Sequence, residues 1–233
     1  MKMLRAILFD LDGTLLGNDM DAFLKPYFGA LARSFDGILP RDKLVAQVMS
    51  STMVMMSDLD PSRTNQEVFM ADFLPKVGRP AEEMMPKFDR FYARHFRELQ
   101  EYTACKPAAR QVVQKAFDKG LRVVIATNPM FPIYAIIERM RWAGVADFPY
   151  DLITSYEVMH FCKPRLEYYQ EICDLIGVSP QEAMMAGNDV QDDMVAARLG
   201  MKTFLVDEEL IHREKSSPKV DHRGSLKQLA EIL

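Results

Sequence analysis

The stretch Ala6-Ile7-Leu8-Phe9-Asp10-Leu11-Asp12-Gly13-Thr14 constrains the fold more than any other part of the chain. Four apolar residues run straight into two aspartates one residue apart. An unbroken apolar run that ends at a glycine turn predicts a short strand buried on both faces. Side chains alternate along a strand, so Asp10 and Asp12 share one side and Leu11 takes the other. Two carboxylates aimed at one small volume need a cation or a shared proton. A hard divalent cation such as Mg²⁺, which prefers oxygen ligands, meets that need. A polar strand end followed by a plain Gly-Thr turn would look the same, so the rest of the chain must decide.

Beyond Thr14 the pattern turns helical. Phe23, Tyr27, Phe28 and Leu31 recur at helical spacing. So do Leu44, Val45, Val48 and Met49, and again Phe88, Phe91, Tyr92, His95, Phe96 and Leu99. Pro40, Pro61, Pro75, Pro80 and Pro86 punctuate the stretch, which reads as a small bundle of four or five helices. After about residue 105, strands alternate with helices. Lys106–Lys119 is predicted as a helix with Pro107 in its first turn and Gly120 as its cap. Leu121–Ala126 follows as a buried strand, then a helix from Pro132 to Gly144 and a strand at Asp151–Ser155. A helix over Arg165–Ile176, a strand at Ala183–Ala186, a helix over Val190–Leu199, a strand at Lys202–Val206 and a last helix from Ser225 complete the series. Alternation of this kind predicts an α/β fold, a doubly wound parallel sheet.

One spacing sets the domain plan. Thr127 lies 115 residues after Asp12 (127 − 12). A strand-helix-strand crossover takes roughly 30 residues. The surplus is the all-helical stretch, read as an all-α domain over 18–104 inserted into the first connection of a core made of 1–17 and 105–233. Such an insertion sits above the C-terminal ends of the strands, where open α/β sheets bind ligands.

Composition narrows the classes. With 29 Lys and Arg against 33 Asp and Glu, the formal charge is −4 and no basic stripe suggests a nucleic-acid partner. No apolar run approaches the ~20 residues of a membrane span, and Asp10 arrives too early for a signal peptide. Three cysteines without Cys-x-x-Cys spacing fit neither a disulfide framework nor a zinc site, and point to a reducing cytoplasm. The 17 methionines are read as adaptable packing residues.

Polar groups recur at or just past the ends of the predicted strands: Asp10 and Asp12, Thr127 and Asn128, Lys163, then Asn188 and Asp189 with Asp192 and Asp193. Each alone is an ordinary turn, cap or surface residue. Together they supply carboxylates, hydrogen-bond donors and one cation, which is what a Mg²⁺-assisted phosphoryl site requires. The ordered set Asp10-Leu11-Asp12-Gly13-Thr14, Thr127-Asn128, Lys163-Pro164 and Gly187-Asn188-Asp189-Val190-Gln191-Asp192-Asp193 resembles the four motifs of the haloacid dehalogenase (HAD)-like hydrolase superfamily. The resemblance covers the core from end to end and implies a Rossmann-like core with 18–104 as its helical cap.

It also implies roles. Asp10 would be the nucleophile that forms an aspartyl-phosphate, and Asp12 the general acid and base. Thr127 and Asn128 would bind phosphoryl oxygens, and Lys163 would offset negative charge. Mg²⁺ would be held by Asp10, Asp12 through its backbone carbonyl, and the fourth motif. That motif departs from the family habit, with Asn188 directly after the glycine and Asp189 next. Asp189 is favoured as a metal contributor because Asn lacks charge, with the register left open. Asp192 and Asp193 compete for the outer acidic place beside Lys163.

The substrate implied is a small phosphorylated metabolite. A dehalogenase is disfavoured by Asp12, since a halide needs no proton donor. A phosphomutase of the β-phosphoglucomutase type and a non-catalytic regulator that binds a phosphometabolite stay open, as does oligomeric state. Arg90, Arg94 and Arg97 are read as a solvated helix face and His95 as a packed histidine on the apolar stripe.

Overall fold

The computed structural model describes residues 3–213 and 220–233. Its centre is a six-stranded, all-parallel sheet in the order β5-β4-β1-β6-β7-β8. The strands are β1 (Ala6–Phe9), β4 (Arg122–Ile125), β5 (Leu152–Ile153), β6 (Ala183–Gly187), β7 (Lys202–Val206) and β8 (His222–Gly224). Strand alternation splits the core into two layers. Ile7, Phe9, Val123 and Ile125 pack against α5 (Pro107–Asp118), α6 (Ile133–Trp142) and α8 (Leu226–Ile232). Ala6, Leu8 and Val124 face the opposite side, against α7 (Leu166–Ile176). Helices on both faces explain why the strands are continuously apolar.

The chain builds β4 and β5 on one side of β1 and β6, β7 and β8 on the other. The order reverses between β1 and β6, and that crevice is where open α/β sheets place a ligand. Phe9 is level with Ile125 of β4 and Ala186 of β6. Asp10 therefore emerges beside Ala126 and Gly187, with Thr127 and Asn188 one residue further on.

The stretch between β1 and β4 is helical, with α1 (Met20–Ser34), α2 (Arg41–Ser57), α3 (Asn65–Val77) and α4 (Ala81–Arg90). Its two ends are clamped by a short antiparallel pair, β2 (Leu16–Gly17) with β3 (Ala104–Cys105). A Cβ at Gly17 would lie 3.0 Å from both the Cβ and the carbonyl oxygen of Ala104, so only glycine lets the two crossings approach this closely. Lys106 adds a tie, its Nζ donating to the Gly13 carbonyl at 2.7 Å and pairing with Glu209 at 3.0 Å.

Several local expectations change. Pro75 and Pro86 lie inside α3 and α4 rather than between helices, where apolar packing outweighs the weak prior of propensity. The helical run through Phe96 is not regular: α4 gives way to a π-helical turn at Phe91–His95 and a 3₁₀ segment at Phe96–Tyr102. The change of pitch moves His95 off the apolar stripe, so it sits half exposed against Glu98 rather than packed. Arg90, Arg94 and Arg97 are exposed. The helix expected from Val190 begins only at Met194, as a 3₁₀ turn. The Asp189 carboxylate accepts from the N–H groups of Gln191 and Asp192, each at 2.9 Å, and holds 189–193 as a turn. The strand expected over Asp151–Ser155 is two residues long, and β2, β3 and β8 are too short to leave a periodic signature.

Cys105 is exposed, Cys162 and Cys173 are buried, and all three thiols are unpaired. Among the described residues no helix is long and apolar enough to cross a membrane.

The helical stretch meets the core through aromatic rings. Phe96 stacks on Trp142 of α6 at 5.3 Å, and Tyr27 packs edge-on to Phe131 at 5.5 Å. Phe96 is fully buried. Replacing it with alanine is expected to cost about 3–5 kcal/mol of stability, read as a lower urea midpoint in equilibrium unfolding.

Candidate active site

The end of β1 delivers Asp10 into a fixed cradle. Its Oδ1 accepts from Lys163 Nζ at 2.8 Å and its Oδ2 from Thr14 Oγ1 at 3.0 Å. Lys163 is fully buried and also donates to Asp193 Oδ1 at 2.6 Å. Burial works to strip the Lys163 proton, but the carboxylates of Asp10 and Asp193 outweigh it and hold its pKa well above the usual lysine value. Burial pushes Asp193 up to about 7 against the pull of Lys163. Asp193 Oδ2 in turn accepts from the Asp189 N–H at 3.0 Å, which fixes the turn after β6. Asp192 does not share this place: its carboxylate lies 3.4 Å from Arg213, and its carbonyl accepts from the Tyr169 hydroxyl. Of the two acids weighed for the place beside Lys163, the structure puts Asp193 there.

Asp12 lies close to Asp10 but has different partners. Asn18 Nδ2 donates to its Oδ1 at 2.8 Å, and Arg139 Nη1 donates to its Oδ2. Burial raises the Asp12 pKa, opposed by the Arg139 charge and reinforced by that of Asp10. The two aspartates are similarly buried but have different partners, Asp10 an ammonium and a hydroxyl, Asp12 a guanidinium and an amide.

Thr127 is buried at the end of β4, its carbonyl receiving Thr154 Oγ1 at 2.7 Å and the Tyr168 hydroxyl at 2.8 Å. Asn128 Oδ1 accepts from the Lys163 N–H at 3.2 Å. The second and third motifs are therefore joined directly.

Asn188 and Asp189 diverge. Asn188 Oδ1 lies 3.0 Å from the same Thr14 hydroxyl that touches Asp10, and its Nδ2 donates to the Glu209 carbonyl at 2.7 Å. Gly13 makes this approach possible: it has φ +78°, and a Cβ there would sit 2.2 Å from Asn188 Nδ2. Asp189 is clasped by Arg213, one guanidinium N–H meeting Oδ1 at 2.9 Å and another meeting Oδ2.

The donor set suits Mg²⁺. Thr14 carries one hydroxyl proton, yet two acceptor oxygens, Asp10 Oδ2 and Asn188 Oδ1, converge on it at 3.0 Å each. One acceptor is thereby left with charge or lone pair uncompensated. Among the described residues no three His, Cys, Asp or Glu side chains gather as a closed metal cage. Mg²⁺ does not need one, since it keeps several waters and takes one or two carboxylates. Lys163, Arg139 and Arg213 are each already paired with carboxylates of the site, so an incoming phosphate would bring negative charge that none of these three cations is free to match.

Sequence reasoning gave no role to Arg139, Asn18, Arg213 or Thr14. Arg139 did leave a signal: it lies in register with Ala135, Ile136 and Met140 on the buried face of α6, where an unpaired cation is not expected. Arg213 and Asn18 stand in irregular segments and leave none.

The fold and this site can be compared with known proteins. A HAD phosphatase from Thermococcus onnurineus superposes with a TM-score of 0.61 at 18% identity, over 98% of this chain and 97% of that one. An L-2-haloacid dehalogenase from Xanthobacter autotrophicus superposes at 0.58 and 17% identity, over 99% and 98%. At these identities the likeness shows the fold. The haloacid dehalogenase-like hydrolase family model matches residues 4–200. The chain belongs to that family and is a hydrolase. Among curated relatives, the PpaX protein of Clostridium perfringens is 26% identical over 86% of this chain and 83% of its own length. A pyrophosphatase PpaX of Bacillus cereus is 24% identical over 87% and 83%.

Removing the central cation tests the cradle. Lys163→Met leaves two buried carboxylates facing each other and is expected to cost about 3–5 kcal/mol. Adding Asp193→Asn to it should restore part of the loss, measured by urea unfolding of both variants at neutral pH.

Proposed function

We propose that the chain is a Mg²⁺-dependent phosphatase that hydrolyses a small phosphorylated metabolite through an aspartyl-phosphate on Asp10. The observation that carries this reading is the pair of aspartates in unlike settings. A nucleophile must be held in a fixed direction, and Lys163 and Thr14 hold the two carboxyl oxygens of Asp10. A general acid must take up and give a proton, and burial raises the Asp12 pKa against the pull of the Arg139 charge.

In the first step an Asp10 carboxylate oxygen attacks phosphorus. The bond from phosphorus to the ester oxygen breaks, and that oxygen takes the Asp12 proton. In the second step a water attacks the phosphorus of the aspartyl-phosphate and gives its proton to Asp12. The bond to Asp10 breaks, and inorganic phosphate leaves. Thr127, Asn128 and Lys163 would orient the phosphoryl oxygens, and the positive charge of Lys163 would balance charge that develops there. Bound Mg²⁺, held by Asp10, the Asp12 carbonyl and Asn188 or Asp189, would supply charge neutralisation at the phosphoryl group. Asp193 would keep Lys163 in place. Residues 18–104 would act as the cap that shields the site from water. Three unpaired thiols suit work in a reducing cytoplasm.

The PpaX relatives are named for pyrophosphate, and this reading shares with them the cleavage of a phosphorus–oxygen bond. The dehalogenase neighbours share the fold, but Asp12 gives this chain the proton that an oxygen leaving group requires.

Hydrolysis of p-nitrophenyl phosphate is expected to require Mg²⁺ and to fall to background in Asp10→Asn. Metal-independent release, or release that survives the substitution, would overturn the mechanism. A second comparison addresses the fourth motif. Because Arg213 already occupies Asp189, Asn188→Ala should raise the Mg²⁺ concentration for half-maximal activity more than Asp189→Asn does.

A further inference from the structure

Between the helical stretch and the core lies a cavity of about 220 Å³. Leu24, Phe28 and Phe69 line it from the helices, and Met130, Phe131 and Pro132 close it from the loop after Asn128. The polar side chains on its wall are Thr52 and three tyrosines, all carrying hydroxyls. Two of these, Tyr27 and Tyr92, bond each other at 2.9 Å, and Thr52 donates to the Val48 carbonyl at 2.8 Å. The wall carries no charged side chain.

The cavity is tied to the catalytic pair by Arg139. This side chain is only 1% exposed, bonds Asp12, and lays its guanidinium over the Phe131 ring at 4.7 Å. Its Nη2 finds no hydrogen-bond partner among the described residues. The loop is joined to the second motif as well, since the Met130 N–H donates to the Asn128 carbonyl at 2.8 Å.

Chemistry gives the direction. Asp12 protonates the ester oxygen, so the carbon beyond that oxygen must lie on the Asp12 side of phosphorus. Arg139 contacts both Asp12 and the Phe131 ring, so this wall of the cavity stands one side chain away from Asp12. We propose that this cavity receives the leaving group, and that the substrate is the phosphate monoester of an alcohol with an apolar, aryl or branched-alkyl body. The inference rests on the phosphatase reading above and adds its substrate class. A sugar would bring several hydroxyls into a wall with few free partners, and each unpaired one is costly to desolvate. Pyrophosphate would bring a second highly charged group toward a wall that carries no charged side chain to receive it.

The test compares leaving groups of similar basicity. With Mg²⁺ present, 2-phenylethyl phosphate should exceed ethyl phosphate and glycerol 3-phosphate in kcat/KM by about tenfold or more, the scale expected for burying a phenyl group. Thr52→Trp and Met70→Trp, which fill the cavity from partly exposed helix positions, should each collapse that ratio. Preference for glycerol 3-phosphate or pyrophosphate, or a ratio unchanged in both variants, would overturn the substrate class while leaving the phosphatase intact. Absence of hydrolysis with every ester would instead sink the phosphatase reading. Calorimetric titration with 3-phenylpropylphosphonate and propylphosphonate then tests the cavity on its own. The phenyl compound should bind about tenfold tighter, and the advantage should vanish in the tryptophan variants; equal binding overturns the proposal. Met49 and Met53 are exposed at the rim of the cavity. A dimer seated there, seen by light scattering and unaffected by the phosphonate, would also overturn it.

Discussion

The Lys163 ammonium, buried between Asp10 and Asp193, is the interaction on which the rest of the site depends. A buried cation is tolerable only when its charge is matched and its protons are used. One carboxylate comes from the end of β1 and the other from the turn after the neighbouring β6, which the parallel register of Phe9 with Ala186 brings together. The register fixes the carboxylates, and the carboxylates fix the lysine. The lysine N–H meets Asn128, so the end of β4 is drawn into the same arrangement. Three segments far apart in sequence are thereby locked around one charge.

A second ion pair sets the chemistry beside the first. Arg139 reaches Asp12 from a helix behind the sheet end, and Phe131 shields its other face. The pair is nearly dry, so its charges are coupled strongly and the acid is held in a chosen direction. Arg139 therefore joins Asp12 to Phe131, which forms part of the wall of the apolar space beyond it. The helical stretch completes that space, and the aromatic contacts of Phe96 and Tyr27 fix its distance from the core.

Much of this was legible in the chain. The Ala6–Thr14 run announced a buried strand ending in carboxylates, because burial on both faces requires an unbroken apolar run. Glycines at 120, 144, 177 and 200 marked helix ends, and all four have positive φ in the structure. The long spacing from Asp12 to Thr127, with its helical periodicity, announced the helices α1–α4 that lie between β1 and β4. Where the sequence reading slipped, a local hydrogen bond or a packing demand had won. Asp189 tied up two N–H groups and displaced the start of the helix. The π-helical turn carried His95 to the surface.

By itself the sequence determined the family, the α/β alternation and the roster of polar groups at the strand ends. These depend on residue order and on short periodic patterns that every local segment carries. Tertiary structure alone decided which of those groups meet. Asp193 rather than Asp192 faces Lys163, Asn188 rather than Asp189 faces Thr14 and Asp10, and Arg139 stands beside Asp12. Adjacent residues in an irregular turn differ only in direction, and direction is set by partners remote in sequence, such as Lys163 for Asp193 and Thr14 for Asn188. The cavity is likewise a property of two packed layers, since no single segment contains both of its walls.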